Sequence, residues 1–288
     1  MPTSPDLAAH PYATAPGSGA ACRDYRVGTV SMTAVSDGYI VMDPGFVGSP
    51  THPTGAFDVL KDEHNRMVMP IGCFLIRGER TVLVDLGYGP HDERNEGRMV
   101  GGGLLVQLRR LGLRPADIDV IALSHLHPDH VGWIGDPHAE ATFPNAQVFV
   151  GAADWAYFVE SSEALLPLEP HVRETFTCLA DRGRVTLMDG DHAITPSLMR
   201  LDAPGHTPGH SIYAVHDGAD RAILFGDAMY CADQLTHTDW GALTDVDRSL
   251  ARRTRERFVR DLETSGGTAL GCHFPGLVAG RALLSPEG

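Results

Sequence analysis

Short apolar runs separated by glycine and proline form the main pattern of this sequence. Runs rich in β-branched and aromatic residues predict strands at 25–35 and 39–42, and residues 72–87 (GCFLIRGERTVLVDLG) predict a β-hairpin that turns at 77–80. The run at 119–123 (DVIAL) is apolar on both faces, which is typical of a buried strand. Further strands are predicted at 147–150, 184–188, 198–201, 211–215 and 222–225.

Helical spacing of apolar positions predicts helices at 104–111, 152–160, 171–182 and 247–264. In the last of these the apolar positions are spaced by four residues: Leu250, Thr254, Phe258 and Leu262. The same helix carries a run of arginines, which we interpret as a solvated outer face rather than an anion site, because Glu256, Asp261 and Glu263 neutralise it: Arg252, Arg253, Arg255, Arg257 and Arg260. Strands with interspersed helices, in no regular alternation, predict an α/β sandwich of sheets flanked by helices.

Length and composition are those of an ordinary folded protein. The chain has 288 residues, of which 43% are hydrophobic and 21% charged, as expected for one large domain or two small ones. The first 25 residues are rich in proline, alanine, glycine and serine, so we expect a flexible N-terminal arm over 1–25 and a folded domain over 26–288. Such an arm could pack on a partner subunit, which leaves a homodimer open.

The charge balance and the cysteines limit the partners and the compartment. A net charge of −14 disfavours nucleic acid, whose binding depends on neutralising phosphates, and a polybasic membrane contact. The sequence has neither a signal-peptide pattern nor an apolar run of the ~18 residues that a membrane span needs. Five scattered cysteines without a CxxC pair indicate reduced thiols. We therefore expect a cytoplasmic protein that acts on a small molecule.

The segment SHLHPDH, at 124–130, holds the strongest chemical signal. His125 and His127 are two residues apart, so both can point the same way from an extended loop. Pro128 favours the start of a helix, whose first turn would direct Asp129 and His130 elsewhere. One short loop can therefore supply two adjacent metal ions.

Three further candidate ligands follow predicted strands or turns. His206 lies in the turn APGHTPGH, Asp227 follows the apolar run AILFG, and His273 follows TALGC. Together with the loop they make five imidazoles and two carboxylates, without a thiolate, and this set suits zinc and also iron, manganese or cobalt. We expect two divalent metal ions, most consistent with zinc, at a catalytic site. A redox protein with a single iron is the competing class, and the full set of seven ligands argues against it.

These motifs resemble the metallo-β-lactamase superfamily from about residue 25 to the C-terminus. The resemblance implies an αββα sandwich with two zinc ions at one edge. It implies that the first metal is bound by His125, His127 and His206, that the second is bound by Asp129, His130 and His273, and that Asp227 bridges both. Asp85, in the VDLG turn, matches an aspartate that orients a ligand histidine.

Two branches of that superfamily resemble this chain most. N-acyl homoserine lactonases share SHLHPDH, GHTPGH and a tyrosine three residues after the bridging aspartate, which is Tyr230 here. Enzymes like methyl-parathion hydrolase share APGHTPGH and the HFPG ending at 273–276. The true β-lactamases match poorly, because their bridging position holds cysteine or serine. The resemblance implies a dinuclear-zinc hydrolase that opens a lactone or carboxylic ester by attack of a metal-bridging hydroxide. An organophosphate or aryl-ester hydrolase is the alternative.

Specific roles follow for residues around the metals. Asp129 is predicted to carry a proton to the leaving alkoxide, and Tyr230 to donate a hydrogen bond to the substrate oxygen. Apolar residues of the segment 44–70 and of the region after Asp227 are predicted to form the wall of the substrate pocket, although they would serve equally as core. The substrate-binding candidates are Phe46, Met69, Trp240 and Phe274, with Phe57, Met67 and His237 as further members of the wall.

Overall fold

Two β-sheets form the centre of the structure. The structure is a computed structural model, and it describes residues 22–48, 61–94 and 97–281. The strands of the first sheet are β1 (Arg23–Val27), β2 (Val30–Met42), β4 (Met67–Arg77), β5 (Thr81–Val84), β6 (Asp92–Arg94), β7 (Arg98–Val100), β8 (Val120–Ala122), β9 (Gln147–Gly151) and β10 (Val185–Met188). They lie in the order β10-β9-β8-β5-β4-β2-β7-β6, with β1 paired to β2. The pairs β5–β8, β8–β9 and β9–β10 are parallel, and the other pairs of this sheet are antiparallel.

The second sheet has six strands in the order β11-β12-β13-β14-β16-β17. They are β11 (His192–Thr195), β12 (Leu198–Asp202), β13 (Ser211–Asp217), β14 (Asp220–Leu224), β16 (Thr268–Leu270) and β17 (Gly280–Arg281). A separate two-stranded ribbon pairs β3 (Val47–Gly48) with β15 (Gly241–Ala242). The ribbon joins the loop after β2 to the loop that follows residue 227.

Helices cover the outer faces of both sheets. They are α1 (Leu104–Arg110), α2 (Pro128–Val131), α3 (Ala152–Asp154), α4 (Pro170–Asp181) and α5 (Arg248–Ser265). One apolar cluster joins α1 and α4 to the first sheet, a second joins α5 to the other sheet, and a third fills the space between the sheets. This layering confirms the predicted αββα sandwich. No helix among the described residues is both long and apolar enough to cross a membrane.

Most predicted elements are confirmed, and the differences have physical causes. The two strands predicted at 25–35 and 39–42 are instead a hairpin of β1 with the 13-residue β2, which passes through a bulge between Ser36 and Gly38. The helix predicted at 152–160 is α-helical only at its start and continues as a π-helix over Trp155–Glu160. The edge strand β6 and its neighbour β7 were missed, because each has only three residues and their charged side chains leave no alternating pattern.

The N-terminal arm and the arginine-rich face of α5 were also predicted from the sequence. The flexible arm predicted at 1–25 falls largely on residues 1–21, outside the described residues, and the chain already belongs to β1 from Arg23. The prediction that all five arginines of α5 face solvent was wrong for Arg255. That side chain is 1% exposed and points inward, whereas Arg252 and Arg253 are exposed.

Strand direction gathers the candidate ligands at one edge of the sandwich. β12 and β14 both pair antiparallel with β13, so they run the same way, and β16 is parallel to β14. Their carboxyl ends therefore lie at one edge, and the loops that leave them carry His206, Asp227 and His273. In the first sheet, β5 and β8 are parallel and end at the residues that precede Asp85 and the 124–130 loop.

Candidate metal centre

The loop after β8 has the two-part conformation that its sequence predicts. His127 is extended (φ −69°, ψ 156°) and Pro128 is the first residue of α2, so the chain changes direction between the second and third candidate ligands. Asp129 and His130 then lie on the helix. All seven predicted ligands are buried, and the structure brings their side chains together.

The first group of ligand atoms belongs to three histidines and one carboxylate oxygen. His127 Nδ1 lies 2.9 Å from His125 Nε2 and 3.0 Å from His206 Nε2. Asp227 Oδ2 lies 3.5 Å from His206 Nε2 and 3.9 Å from His125 Nε2. Ligands bound at 2.0–2.1 Å around a tetrahedral zinc are separated by about 3.3 Å, so the spacing of these four atoms fits one metal ion.

The second group uses the other oxygen of the same carboxylate. Asp227 Oδ1 lies 3.1 Å from both His130 Nε2 and His273 Nε2. Asp129 Oδ2 is 3.5 Å from His273 Nε2 and 3.7 Å from His130 Nε2. One oxygen of Asp227 therefore faces each group, as a carboxylate that bridges two metal ions requires.

Asp85 fixes the orientation of His130. Its Oδ2 accepts from His130 Nδ1 at 3.0 Å, and its two oxygens also accept from the backbone N–H and the hydroxyl of Ser124 at 2.7 and 2.8 Å. Asp85 has φ of +60°, a region that favours glycine, so this network holds a strained backbone in place. Because a carboxylate can only accept, Nδ1 of His130 carries the proton and Nε2 presents a lone pair.

Two other histidines are held in the same way. His206 Nδ1 donates to Asp245 Oδ1 at 2.9 Å, and His273 Nδ1 donates to the carbonyl oxygen of Pro70 at 2.7 Å. The Nε2 atoms of both rings therefore carry lone pairs, and both point at oxygens of Asp227. Lone pairs that face an anion at these distances need a cation between them, so the residues fit a pair of metal ions.

The electrostatics of the cluster agree with that fit. Burial alone would raise the pKa of Asp227, but the imidazoles of His273 and His130 hold it well below its usual range. Burial alone would lower the pKa of His130, but the carboxylates of Asp227 and Asp129 raise it well above the usual value. Both shifts have one cause: the negative charges of the carboxylates are close to the imidazoles and favour positive charge in the cluster. Divalent cations bound in the cluster would supply that positive charge.

A buried ion pair that the sequence did not indicate lies behind His206. Asp245 accepts from the His206 ring with Oδ1, while its Oδ2 lies 3.4 Å from Nη1 of Arg255 and accepts from the backbone N–H of Ala242. Arg255 also donates through Nε to the carbonyl oxygen of Thr238 at 2.9 Å. α5 is thereby connected to a ligand of the first group through two fully buried charges.

Tyr230 contacts both groups of ligands. Its hydroxyl donates to Asp227 Oδ2 at 3.0 Å, and its ring stacks on His273 with centroids 5.3 Å apart and planes 8° apart. Burial and the charge of Asp227 raise the pKa of the phenol well above its usual value, so the hydroxyl keeps its proton as a donor.

Cys272 adds a sulfur atom that was absent from the predicted donor set. Its Sγ is buried and lies 3.3 Å from Asp227 Oδ1. Ligand atoms of His130, Asp227, Cys272 and His273 all lie within 4.8 Å of one another. In the sequence, the only sign of this contact is that the cysteine directly precedes a candidate histidine.

An apolar cavity of about 770 Å³ lies near the centre, on the far side of Phe46 from Tyr230. Its wall is largely hydrophobic: Ile40, Met42, Phe46, Tyr88, Met99, Leu166 and Leu243, with Glu93 and Arg98 among its polar members. Phe46 connects the cavity to the cluster, because its ring meets Tyr230 edge to face at a centroid distance of 6.1 Å. Tyr230 is not itself part of the wall, so the rings of Phe46 and Tyr230 lie between this cavity and Asp227.

Only one of the four predicted substrate-binding residues lines this cavity. Phe46 does, but Met69 and Trp240 are 0% and 3% exposed and pack behind the wall, in a core cluster with Tyr230. Phe274, 2% exposed, packs in the core beneath α5. The structure thus places these three side chains in the core and not in this wall, because an apolar residue near a ligand can pack in the core as readily as in a pocket.

None of the other three residues predicted for the wall of the substrate pocket lines this cavity among the described residues. Met67 is 1% exposed and lies in the same core cluster as Met69, and His237 is exposed and stacks on Trp240 with centroids 4.1 Å apart. Phe57 lies outside the described residues.

Comparison with known proteins gives consistent matches. Residues 68–273 match the family model of the metallo-beta-lactamase superfamily. The chain is 29% identical over 178 residues to an N-acyl homoserine lactonase of Bacillus thuringiensis, a match that covers 56% of this chain and 65% of the relative. It is 30% identical over 139 residues to the N-acyl homoserine lactonase AttM of Agrobacterium fabrum, with 46% and 49% covered. The chain thus spans less than two thirds of the length of these curated relatives.

Solved structures agree in fold. The dizinc quorum-quenching lactonase AidC, in complex with a product, superposes with a TM-score of 0.76 at 24% identity, over 93% of this chain and 95% of that one. The hydrolase AbOPH superposes with a TM-score of 0.75, also at 24% identity, over 92% and 94%. At this level of identity the likeness concerns the arrangement of the chain.

Proposed function

This chain belongs to the metallo-beta-lactamase superfamily, and from that premise we propose that it is a dinuclear metal hydrolase that opens a lactone or a carboxylic ester. The observation that carries the proposal is the position of Asp227, whose two oxygens face two separate groups of histidines beside an apolar cavity. The curated relatives named as N-acyl homoserine lactonases favour a lactone that carries an acyl chain.

In this proposal each group of ligand atoms holds one divalent ion, with zinc as the proposed metal and iron, manganese or cobalt as alternatives. His125, His127 and His206 hold the first ion, Asp129, His130 and His273 hold the second, and Asp227 contacts both. When bound, such a pair polarises a carbonyl oxygen and lowers the pKa of bound water towards 7.

The side chains around the ions position the substrate and move the protons. The cavity takes the acyl part, since burial of each methylene contributes about 0.8 kcal/mol. Asp129 is the most exposed of the seven candidate ligands, at 7%, and so is best placed to receive a proton and pass it to the leaving alkoxide. The hydroxyl of Tyr230 donates its single proton to Asp227 Oδ2 in the structure and would turn to the substrate oxygen that gains charge.

The first prediction concerns Tyr230. We expect Tyr230→Phe to lower kcat about tenfold with a smaller effect on KM, because a hydrogen bond to developing charge is stronger in the transition state than in the ground state. Loss of a single oxyanion donor costs on the order of 10²–10³ in kcat elsewhere, and the metals share that task here. Metal content is the control and should not change. Wild-type kinetics in the Phe variant would reduce Tyr230 to a packing residue.

The second prediction concerns the cavity. For straight-chain acyl homoserine lactones, KM should fall about fourfold per added methylene while the chain is still entering the cavity, because ~0.8 kcal/mol is gained at each step. Met99→Trp, which fills part of the wall, should raise KM for long chains much more than for short ones. Leu187→Trp, at an exposed position of β10, is the matched control. An equal change for short and long chains in Met99→Trp would place the acyl group elsewhere.

A panel of substrates tests the function itself. Protein loaded with zinc should be assayed with acyl homoserine lactones, aryl esters, phosphotriesters and a chromogenic β-lactam, each as kcat/KM. We expect lactones to exceed β-lactams. If phosphotriesters are turned over much faster than any lactone or ester, the organophosphate hydrolase that the sequence also allowed becomes the function.

We further propose a cytoplasmic protein with a small molecule, rather than nucleic acid, as its partner. The five cysteines are all free, as in a reducing compartment, and the net charge of −14 opposes contact with polyanions. A homodimer remains part of the proposal, and its test is the mass in solution.

A further inference from the structure

The thiol of Cys272 lies at the base of the second ligand group. The residue follows β16, is 1% exposed, and reaches the group from the core between the two sheets. Its Sγ is 3.3 Å from Asp227 Oδ1. Cys272 would be the fifth protein ligand of this ion. A sulfur at 2.3 Å and an oxygen at 2.0 Å bound to one ion lie about 3.0 Å apart at a right angle and about 3.5 Å apart at a tetrahedral angle, so the observed distance is compatible with a shared five-coordinate ion.

A second atom of the same group points to a ligand at this place. His130 Nε2 is buried and lies 3.1 Å from Asp227 Oδ1, yet it makes no hydrogen bond within the described part of the chain. Its ring is fixed by the contact of Nδ1 with Asp85, so Nε2 has a lone pair directed at the position that Cys272 and Asp227 also face. Two nitrogens, a carboxylate oxygen and a sulfur thus all lie within 4.8 Å of one another.

We propose that Cys272 is a sulfur ligand of the second metal ion, which makes that site selective for thiophilic ions. The inference rests on the proposed metal centre and goes beyond it, because the seven ligands predicted for this chain are all imidazoles and carboxylates. When the ion binds, the S–H bond breaks, a metal–sulfur bond forms, and the proton leaves to solvent. A thiolate favours zinc, cadmium or cobalt over manganese at this site and leaves the all-nitrogen-and-oxygen first site unaffected.

Cobalt-loaded holoprotein provides the test, since thiolate bound to Co²⁺ gives a sulfur-to-metal charge-transfer band in the near ultraviolet, independent of activity. Three proteins are compared after metal analysis of each: wild type, Cys272→Ser and Cys231→Ser. Cys231 is the matched control, because it is equally buried but belongs to neither ligand group. We expect the band in wild type and in Cys231→Ser, and its loss in Cys272→Ser.

The possible results separate this inference from the proposed function. Two cobalt ions per chain without the band in wild type would overturn the sulfur ligand and leave the dinuclear hydrolase intact. A band that persists in Cys272→Ser would also overturn it, because another thiol would then be the source. Binding of fewer than two ions in wild type would refute the dinuclear centre and this inference with it.

Discussion

Asp227→Asn should lower kcat/KM by at least about 10²–10³-fold and should reduce metal occupancy. Asparagine keeps the size of the side chain but offers only one oxygen, while the structure uses one carboxylate oxygen for each group of histidines. The loss should therefore equal or exceed that of a single oxyanion donor, about 2.7–4 kcal/mol. Steady-state kinetics and metal analysis of the same preparation measure both effects.

A matched control for this variant is Asp217→Asn. Asp217 ends β13, at the edge opposite the ligands, where its carboxylate accepts from Thr29. It should retain two metals and normal turnover. If Asp227→Asn also kept full occupancy and full activity, Asp227 would not bridge the two ions.

Arg255→Met should lower the free energy of unfolding by about 3–5 kcal/mol, because it leaves the carboxylate of Asp245 buried without its cation. The same carboxylate holds the ring of His206, and loss of such a partner typically costs 10–100-fold in metal affinity or activity. Urea denaturation of the metal-free protein isolates the first effect. Metal titration of the folded variant measures the second.

The same helix provides the control. Arg252 is exposed and pairs with Glu256 four residues along, an arrangement that contributes about 0–1 kcal/mol. Arg252→Met should therefore change stability and metal affinity very little. Equal effects of the two substitutions would mean that the buried pair has no particular role at the metal centre.

Much of the fold and the centre could be predicted because the signals are local. The loop at 124–130 contains four of the seven candidate ligands within six residues, and its single proline sets the change from extended to helical backbone. His206, Asp227 and His273 follow strands whose parallel course places their ends together, a relation that strand order dictates once the sandwich is known.

The remaining parts depend on contacts between residues far apart in the chain. Asp245 lies 39 residues from His206, and nothing in the sequence near Asp245 indicates that its carboxylate is buried. Arg255 stands in a run of exposed arginines, and only the rotation of α5 against its sheet decides that this one points inward. Met69, Trp240 and Phe274 show the converse, since hydrophobicity predicts burial without distinguishing a core from a cavity wall.

The ligands come from both sheets: four from the loop after β8 of the first sheet, and His206, Asp227 and His273 from loops of the second. Ions bound there would connect the two sheets of the sandwich, so the free energy of metal binding would add to the free energy of unfolding. By mass action, each such site adds about 2.7 kcal/mol of stability when free metal is at 100 times its dissociation constant. The supply of free metal in a cell would then change the free energy of unfolding of this protein, and a chelator would lower it without touching the chain.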